Sequence, residues 1–365
     1  MRVAVVCTVS DGGMVHFAQS CFRAIAELGK DAMVIFPQRA AVDLKPLEAV
    51  GRVCVYDDRR GISNGFTAAR SIASHLEAFS PDSIWFTDET ITSAAARAAC
   101  DDPVIFIHDV RPHLVKMSVK SRLRFLCLLM DRRRAIARAS RVVVMSNTAR
   151  DDLLTQYGDR FYDRVSVLRL GATAPNCSAL VPPELDEAFD GGFFLFFGAI
   201  EKYKNVEGLV RAFSSLLTER PFARLIIAGR GAIEEKTLRI IKQHHRSIVL
   251  LNRYISDGEL AYLMMGARAT LLPYLEATQS GVLPISYSFG KPVVTSDAPG
   301  LSEFVVDGVT GFVVKDEVGL AAAMDKLLDD DLVRRMGEAG RAYAKHELDF
   351  TGNVAKIISD INGES

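Results

Sequence analysis

Glu276 opens a stretch that raises a chemical question, EATQSGVLPISYSFGKPVV, Glu276 to Val294. A lone carboxylate is followed by the small or polar residues Thr278, Gln279, Ser280 and Gly281, and then by an apolar turn that begins a helix. Pro284 early in that helix and Gly290 after it mark its two ends. Thr278 and Ser280 are suitable caps for its first turn. Backbone N–H groups at such a helix start can hold a diphosphate. Phosphate would repel Glu276, so the plausible partners of that carboxylate are hydroxyl groups or a cationic transition state. Diphosphate together with polyol is the chemistry of a nucleotide-sugar. The competing reading is a capped surface helix.

Other residues could serve the same chemistry. Gly12 and Gly13 follow the first apolar run and precede a helical pattern, where glycine lets a backbone approach an anion. Their spacing is not that of a dinucleotide fingerprint, and a tight strand–helix turn explains them equally well. His108 and Asp109 end the run PVIFIHD, so the imidazole stands where a strand leaves a sheet and can donate to a sugar hydroxyl or to developing negative charge. A histidine bonded only to its loop is the alternative, and His113 nearby is a weaker candidate. Lys202 and Lys204 lie between a strand and a helix, within reach of a phosphate. The segment Val115 to Arg141 carries nine Lys or Arg against one Asp. Its interleaved apolar residues give a basic amphipathic helix that fits an anionic membrane surface, or else a solvated face.

These residues need elements to position them. Short β-branched runs alternate with helical patterns, twice over, which predicts parallel sheets covered on both faces. The expected strands are 3–8, 32–36, 52–56, 83–87, 104–108, 141–146 and 165–168, then 193–197, 224–228, 248–251, 269–273 and 292–296. A Pro- and Gly-rich stretch interrupts the alternation. The expected domains are therefore 1–172, a linker at 173–191, and 192–345, with a C-terminal helix at 346–365 packing back on the first domain. Two such Rossmann-like domains, facing across a cleft, place ligands at the carboxyl ends of their strands. The net charge of −1 gives no pull toward nucleic acid. The six cysteines show no metal-ligand spacing, so no metal site is expected. Neither a signal peptide nor a bilayer span is read from the apolar runs. The expectation is a cytoplasmic protein, peripheral at most on the inner face of the membrane.

The motifs of the second half resemble the large family 4 of retaining glycosyltransferases, the glycosyl transferases group 1, with the GT-B fold. Gly198 with Lys204-Asn205, then LIIAGRG, RYISDGELAYLMMGA and LLPYLEATQSGVLPISYSFGKPVV carry the likeness. In the first half only Gly12-Gly13, His108-Asp109 and VVVMSNTARDDLL match. The resemblance implies a UDP- or GDP-linked sugar as donor substrate, no separate cofactor, and a hydroxyl of a glycan or lipid-linked acceptor. The setting it implies is bacterial surface polysaccharide or glycolipid synthesis. It assigns Lys204 to the diphosphate, Gly13 to the phosphates or sugar, His108 and Glu276 to the sugar, and the Arg230-Gly231 and Arg253-Tyr254 loops to the base. Two residues depart from the family: Ala199 stands in place of an arginine, and neither Pro284 nor Ile285 supplies the second glutamate that grips the ribose. These departures keep two rivals open, a non-catalytic GT-B scaffold and a nucleotide-sugar epimerase or hydrolase.

Overall fold

The computed structural model describes residues 1–58, 64–110, 119–171, 177–185 and 192–363, with 64–66 and 119–128 described by their backbone alone. His113, residues 115–118 and most of the expected linker lie outside the described residues. The chain forms two compact units, residues 1–169 with 350–365, and residues 170–349.

The first unit runs β1 (Arg2–Val6), α1 (Gly13–Glu27), β2 (Asp31–Pro37), α2 (Lys45–Glu48), β3 (Arg52–Tyr56), α3 (Asn64–Phe79) and β4 (Ser83–Phe86). It continues with α4 (Ile91–Arg97), β5 (Val104–Ile107), α5 (Val119–Arg138), β6 (Arg141–Val144), α6 (Asn147–Tyr157) and β7 (Val165–Val167). The second unit runs β8 (Phe193–Phe197), α7 (Val206–Glu219), β9 (Leu225–Ala228), α8 (Glu235–Gln243), β10 (Ile248–Leu251), α9 (Asp257–Gly266) and β11 (Ala267–Leu272). It ends with α10 (Val282–Ser288), β12 (Val293–Ser296), α11 (Pro299–Ser302), β13 (Gly311–Val314), α12 (Glu317–Lys326) and α13 (Asp330–Glu347). The last helix, α14 (Phe350–Asn362), packs on α1 of the first unit, where Phe350 meets Phe17 edge-on and Thr351 Oγ1 donates to Glu27 at 2.9 Å. Leu348 and Asp349 separate α13 from α14.

Both sheets are parallel among the described pairs, in the orders β3-β2-β1-β4-β5-β6-β7 and β10-β9-β8-β11-β12-β13. The central strands are buried on both faces, as the unbroken apolar run FFLFF of β8 requires. Strand order reverses between β1 and β4, and again between β8 and β11. Neighbouring connections leave to opposite sides at such a point, so the loops at the carboxyl ends splay apart and leave room for a ligand. The Gly12, Lys204 and Glu276 loops all leave these strands.

Six strands stop one or two residues before the expected ends, and at three of them a local reason is visible. Thr8 donates its N–H to the Asp88 carboxylate at 2.5 Å instead of continuing a ladder. His108 turns its ring onto Thr87. Ser146 caps α6 by accepting from Ala149 N at 3.0 Å.

Candidate functional site

In the second unit the site is assembled from the exits of β8 and β11. The chain leaves β8 through Gly198 at φ +124°, a conformation that side chains rarely adopt. A Cβ there would stand 3.1 Å from Lys204 Nζ, and one on Gly229 would overlap the Gly198 carbonyl at 1.9 Å. The exits of β8 and β9 therefore pack backbone on backbone. Lys202–Lys204 make a single 3-10 turn, closed by Asn205 in the left-handed region at φ 53°, whose Oδ1 accepts from Gly208 N at 3.1 Å. That turn sets Lys204 against the end of the strand.

The ammonium of Lys204 lies 5.8 Å from the ring centre of Tyr203 and 5.5 Å from that of Tyr274. The two rings meet edge-on at 5.8 Å. No ion pair to a carboxylate holds Lys204 among the described residues, and burial lowers its pKa, with Glu201 opposing from a distance. The β11 exit is pinned beside it: Leu275 N donates to Tyr203 O at 2.7 Å, Ser296 Oγ donates to Tyr274 O at 2.5 Å, and the backbone at Ala277 and Thr278 lies close against Gly300. The Tyr274 hydroxyl and Gln279 Oε1 are buried without hydrogen-bond partners; Ser280 approaches the phenol without completing a bond. Glu276 and Gly281 are exposed, and Thr278, Gln279 and Ser280 half-buried. The cap of α10 is Gly281, not Thr278 or Ser280, although Ser280 Oγ accepts from Val282 N at 3.3 Å.

The base-framing loops are placed differently from each other. Arg230 and Tyr254 are exposed, and Gly231 exchanges two hydrogen bonds of 3.0 Å with Asn252. Arg253, by contrast, is committed. Its guanidinium forks onto Glu184 at 2.6 and 2.7 Å and onto Glu259 at 2.7 and 3.1 Å. These bonds raise the arginine and hold the Glu259 carboxyl down at about 2. The part of the linker that carries Glu184 is thereby fastened to the second unit.

In the first unit, Gly12 caps α1 at φ 78°, which favours glycine, and a Cβ on Gly12 or Gly13 would meet nothing within 4 Å. His108 stands edge-on to Phe17, ring centres 4.8 Å apart, with Nε2 3.1 Å from Thr87 O. A carbonyl only accepts, so Nε2 carries the proton and Nδ1 is left as an acceptor. Burial lowers the imidazole to about 4, against the weaker effects of Thr87 and Asp109. The expectation that the ring donates is therefore corrected: the ring is neutral at pH 7 and its donor is taken.

Among the described residues the basic run does not form one uninterrupted exposed face. Arg132 pairs with Glu89 and is 12% exposed. Arg138 donates to Ala98 O and Cys100 O, and Arg141 to Asp163 O and Asp360 O. Arg133 and Arg134 are exposed. No helix is long and apolar enough to cross a membrane among the described residues. The aromatic walls Tyr203 and Tyr274 and the Asp88-Glu89 pair were not singled out in the sequence. Their available signal is position, since each lies just beyond a switch-point strand or in the turn that follows it.

Residues 11–172 match the family described as Glycosyltransferase Family 4, and residues 192–330 that described as Glycosyl transferases group 1. The glycogen synthase of Mycobacterium tuberculosis is 30% identical over 162 residues, 43% of this chain and 39% of that protein. The phosphatidyl-myo-inositol mannosyltransferase of Mycolicibacterium smegmatis is 27% identical over 173 residues, 46% of this chain and 44% of that protein. The match thus spans about two fifths of the length of these curated relatives. The crystal structure of Anabaena Alr3699/HepE in complex with UDP and glucose superposes with a TM-score of 0.73 at 17% identity, over the whole of both chains. The lipopolysaccharide outer core galactosyltransferase WaaB does so at 0.67 and 15%, also over the whole of both. At that identity the likeness shows the fold, which is GT-B.

Proposed function

The chain belongs to the family 4 glycosyltransferases, with their group 1 domain as its second half, and from that premise we propose that it moves a hexose from a UDP- or GDP-linked donor to a hydroxyl of a glycan or lipid-linked acceptor, with retention of anomeric configuration. The observation that carries the reading is Lys204. A half-buried ammonium at the switch point of the second sheet, walled by two tyrosine rings and without an ion-pair partner among the described residues, is costly unless an anion completes it. A diphosphate supplies that anion.

In the proposed step the bond between the anomeric carbon and the diphosphate breaks while a bond to the acceptor oxygen forms on the same face. The acceptor's proton passes to the leaving phosphate oxygen, so no protein nucleophile is assigned. Lys204 neutralises charge on the leaving group as it develops. Backbone N–H groups of Thr278 to Gly281 share the diphosphate, and Gly13 leaves room for the donor. His108 accepts at Nδ1 from a sugar hydroxyl, and Glu276 holds others. With Pro284 buried inside α10, the ribose is held by other groups, among which Glu303 is a candidate carboxylate. The exposed Arg230 and Tyr254 flank the base. Arg253 fixes that loop through Glu184 and Glu259 rather than touching the donor.

Calorimetric titration with UDP, GDP and UMP tests the reading. The parent should bind one nucleoside diphosphate well above its monophosphate. Lys204→Met should lose roughly tenfold to a hundredfold in diphosphate affinity, the worth of a charge-assisted hydrogen bond, and keep its monophosphate affinity. Equal binding of UDP by parent and variant would overturn the assignment.

A further inference from the structure

The loop that carries His108 is tied twice to the loop that leaves β4. One tie is the imidazole itself, Nε2–H to Thr87 O at 3.1 Å. The other passes through α5. Arg132 grips Glu89 through Nε at 2.7 Å and Nη2 at 2.6 Å, and Nη1 donates to Val110 O at 3.1 Å. Thr87 and Glu89 are two residues apart, as are His108 and Val110, so the ties close a ring across the exits of β4 and β5. The preceding residue of α5 braces the same loop: Asp131 pairs with Arg97, whose Nη1 donates to Asp88 O at 3.2 Å and Ser93 Oγ at 3.0 Å.

Arg132 also meets Tyr157 of α6, and its Nη1 reaches the His108 loop two residues from the ring. From this closed ring we infer that Glu89 and Arg132 are positioning residues for His108, fixing the depth and tilt at which its Nδ1 meets the transferred sugar. The inference rests on the role proposed for His108. The groups acting on the ring are Phe17 from α1, Thr87 O from the β4 exit and the Asp109 carboxylate beside it. With Arg132 gone, the bond to Val110 O is lost, and water gains access to the imidazole.

The test is a proton NMR titration of the His108 imidazole, assigned with His108→Gln, in the parent and in Arg132→Met, Arg132→Lys and Glu89→Gln. Exposed Arg134→Met is the control. In Arg132→Met the imidazole should rise from about 4 toward its ordinary 6.5, because desolvation is relieved. Its kcat should fall by about tenfold or more through misplacement of the ring, with the donor KM changed less than about twofold. The parent's kcat should stay level down to about pH 5, whereas the variant's should already decline below about pH 6.5, as neutral imidazole is lost. Arg132→Lys, which keeps the charge and loses the fork, should fall between the two, and Arg134→Met should match the parent. The inference is overturned if His108 titrates at one pH in all of them, or if the loss in kcat is the same at every pH. Should Arg132→Met fail to fold, Glu89→Gln is judged by the same two criteria. A shifted titration in Arg132→Met alongside full turnover in His108→Gln would sink the role of His108 in transfer and leave the positioning pair standing.

Discussion

The half-buried imidazole of His108 carries its single proton toward Thr87 O, and desolvation favours its neutral form. Its ionisation therefore bears on stability. The folded value of about 4 lies below the ordinary 6.5, so the unfolded chain takes up the proton first as pH falls. Stability is whole above pH 6.5 and is lost on the way down to pH 4. At about pH 5 the loss is on the order of 2 kcal/mol. Urea unfolding should show that His108→Gln removes this component between neutral pH and pH 5; identical pH dependence in both proteins would mean the ring is not buried as described. In turnover, His108→Gln should lower kcat roughly tenfold to a hundredfold, with little change in donor affinity. That a histidine ends an apolar run was legible in the sequence. Its proton was not, because the tautomer is set by a carbonyl twenty-one residues away, just past another strand. Lys204 was legible by its place in a strand–helix turn. Tyr203 and Tyr274 were not, because their meeting depends on the strand order that brings β8 beside β11.

At the scale of elements, glycine geometry and one arginine decide how the loops are set. Gly198→Ala would force a side chain into φ +124° and within 3.1 Å of Lys204 Nζ. The strain should cost about 1–3 kcal/mol, and diphosphate affinity should fall with it because the ammonium must move. A variant that melts and binds like the parent would contradict the close approach. Arg253 fastens the 177–185 segment to α9 through Glu184 and Glu259. The carboxyls titrate below their usual 4.5 in the fold, so this contribution is present above that pH and fades as acid approaches pH 2. Arg253 and Glu184 stand partly in solvent, at 34% and 41% exposed, which limits the contribution to about 1 kcal/mol. The stability gap between parent and Arg253→Met should thus narrow steadily below pH 4.5; a gap constant from neutral pH to pH 3 would show that packing, not charge, holds the segment. The long apolar strands could be read to within a residue or two because burial on both faces leaves few polar interruptions. The short elements α4 and β13 were missed, since four to seven residues carry too little periodicity. No glycine or proline marks the break between α13 and α14 at Leu348-Asp349.

At the scale of the whole molecule, two parallel sheets and the family 4 motifs converge on donor-sugar chemistry. The second half declared itself through spaced motifs, Gly198 to Lys204 and Glu276 to Gly281. The first half did so weakly, because its candidate residues are a glycine pair and a histidine whose setting comes from tertiary contacts. The proposed transfer is tested most directly by incubating the protein with a panel of UDP- and GDP-linked sugars and following the anomeric proton of the first product by NMR. Water serves as an acceptor when no other is known. One α-linked donor should release its nucleoside diphosphate, give the α-anomer before mutarotation, and react faster once a suitable hydroxyl acceptor is present. A β-anomer as first product would contradict retention. Failure of every donor in the panel to be bound or consumed would contradict the proposed transfer itself.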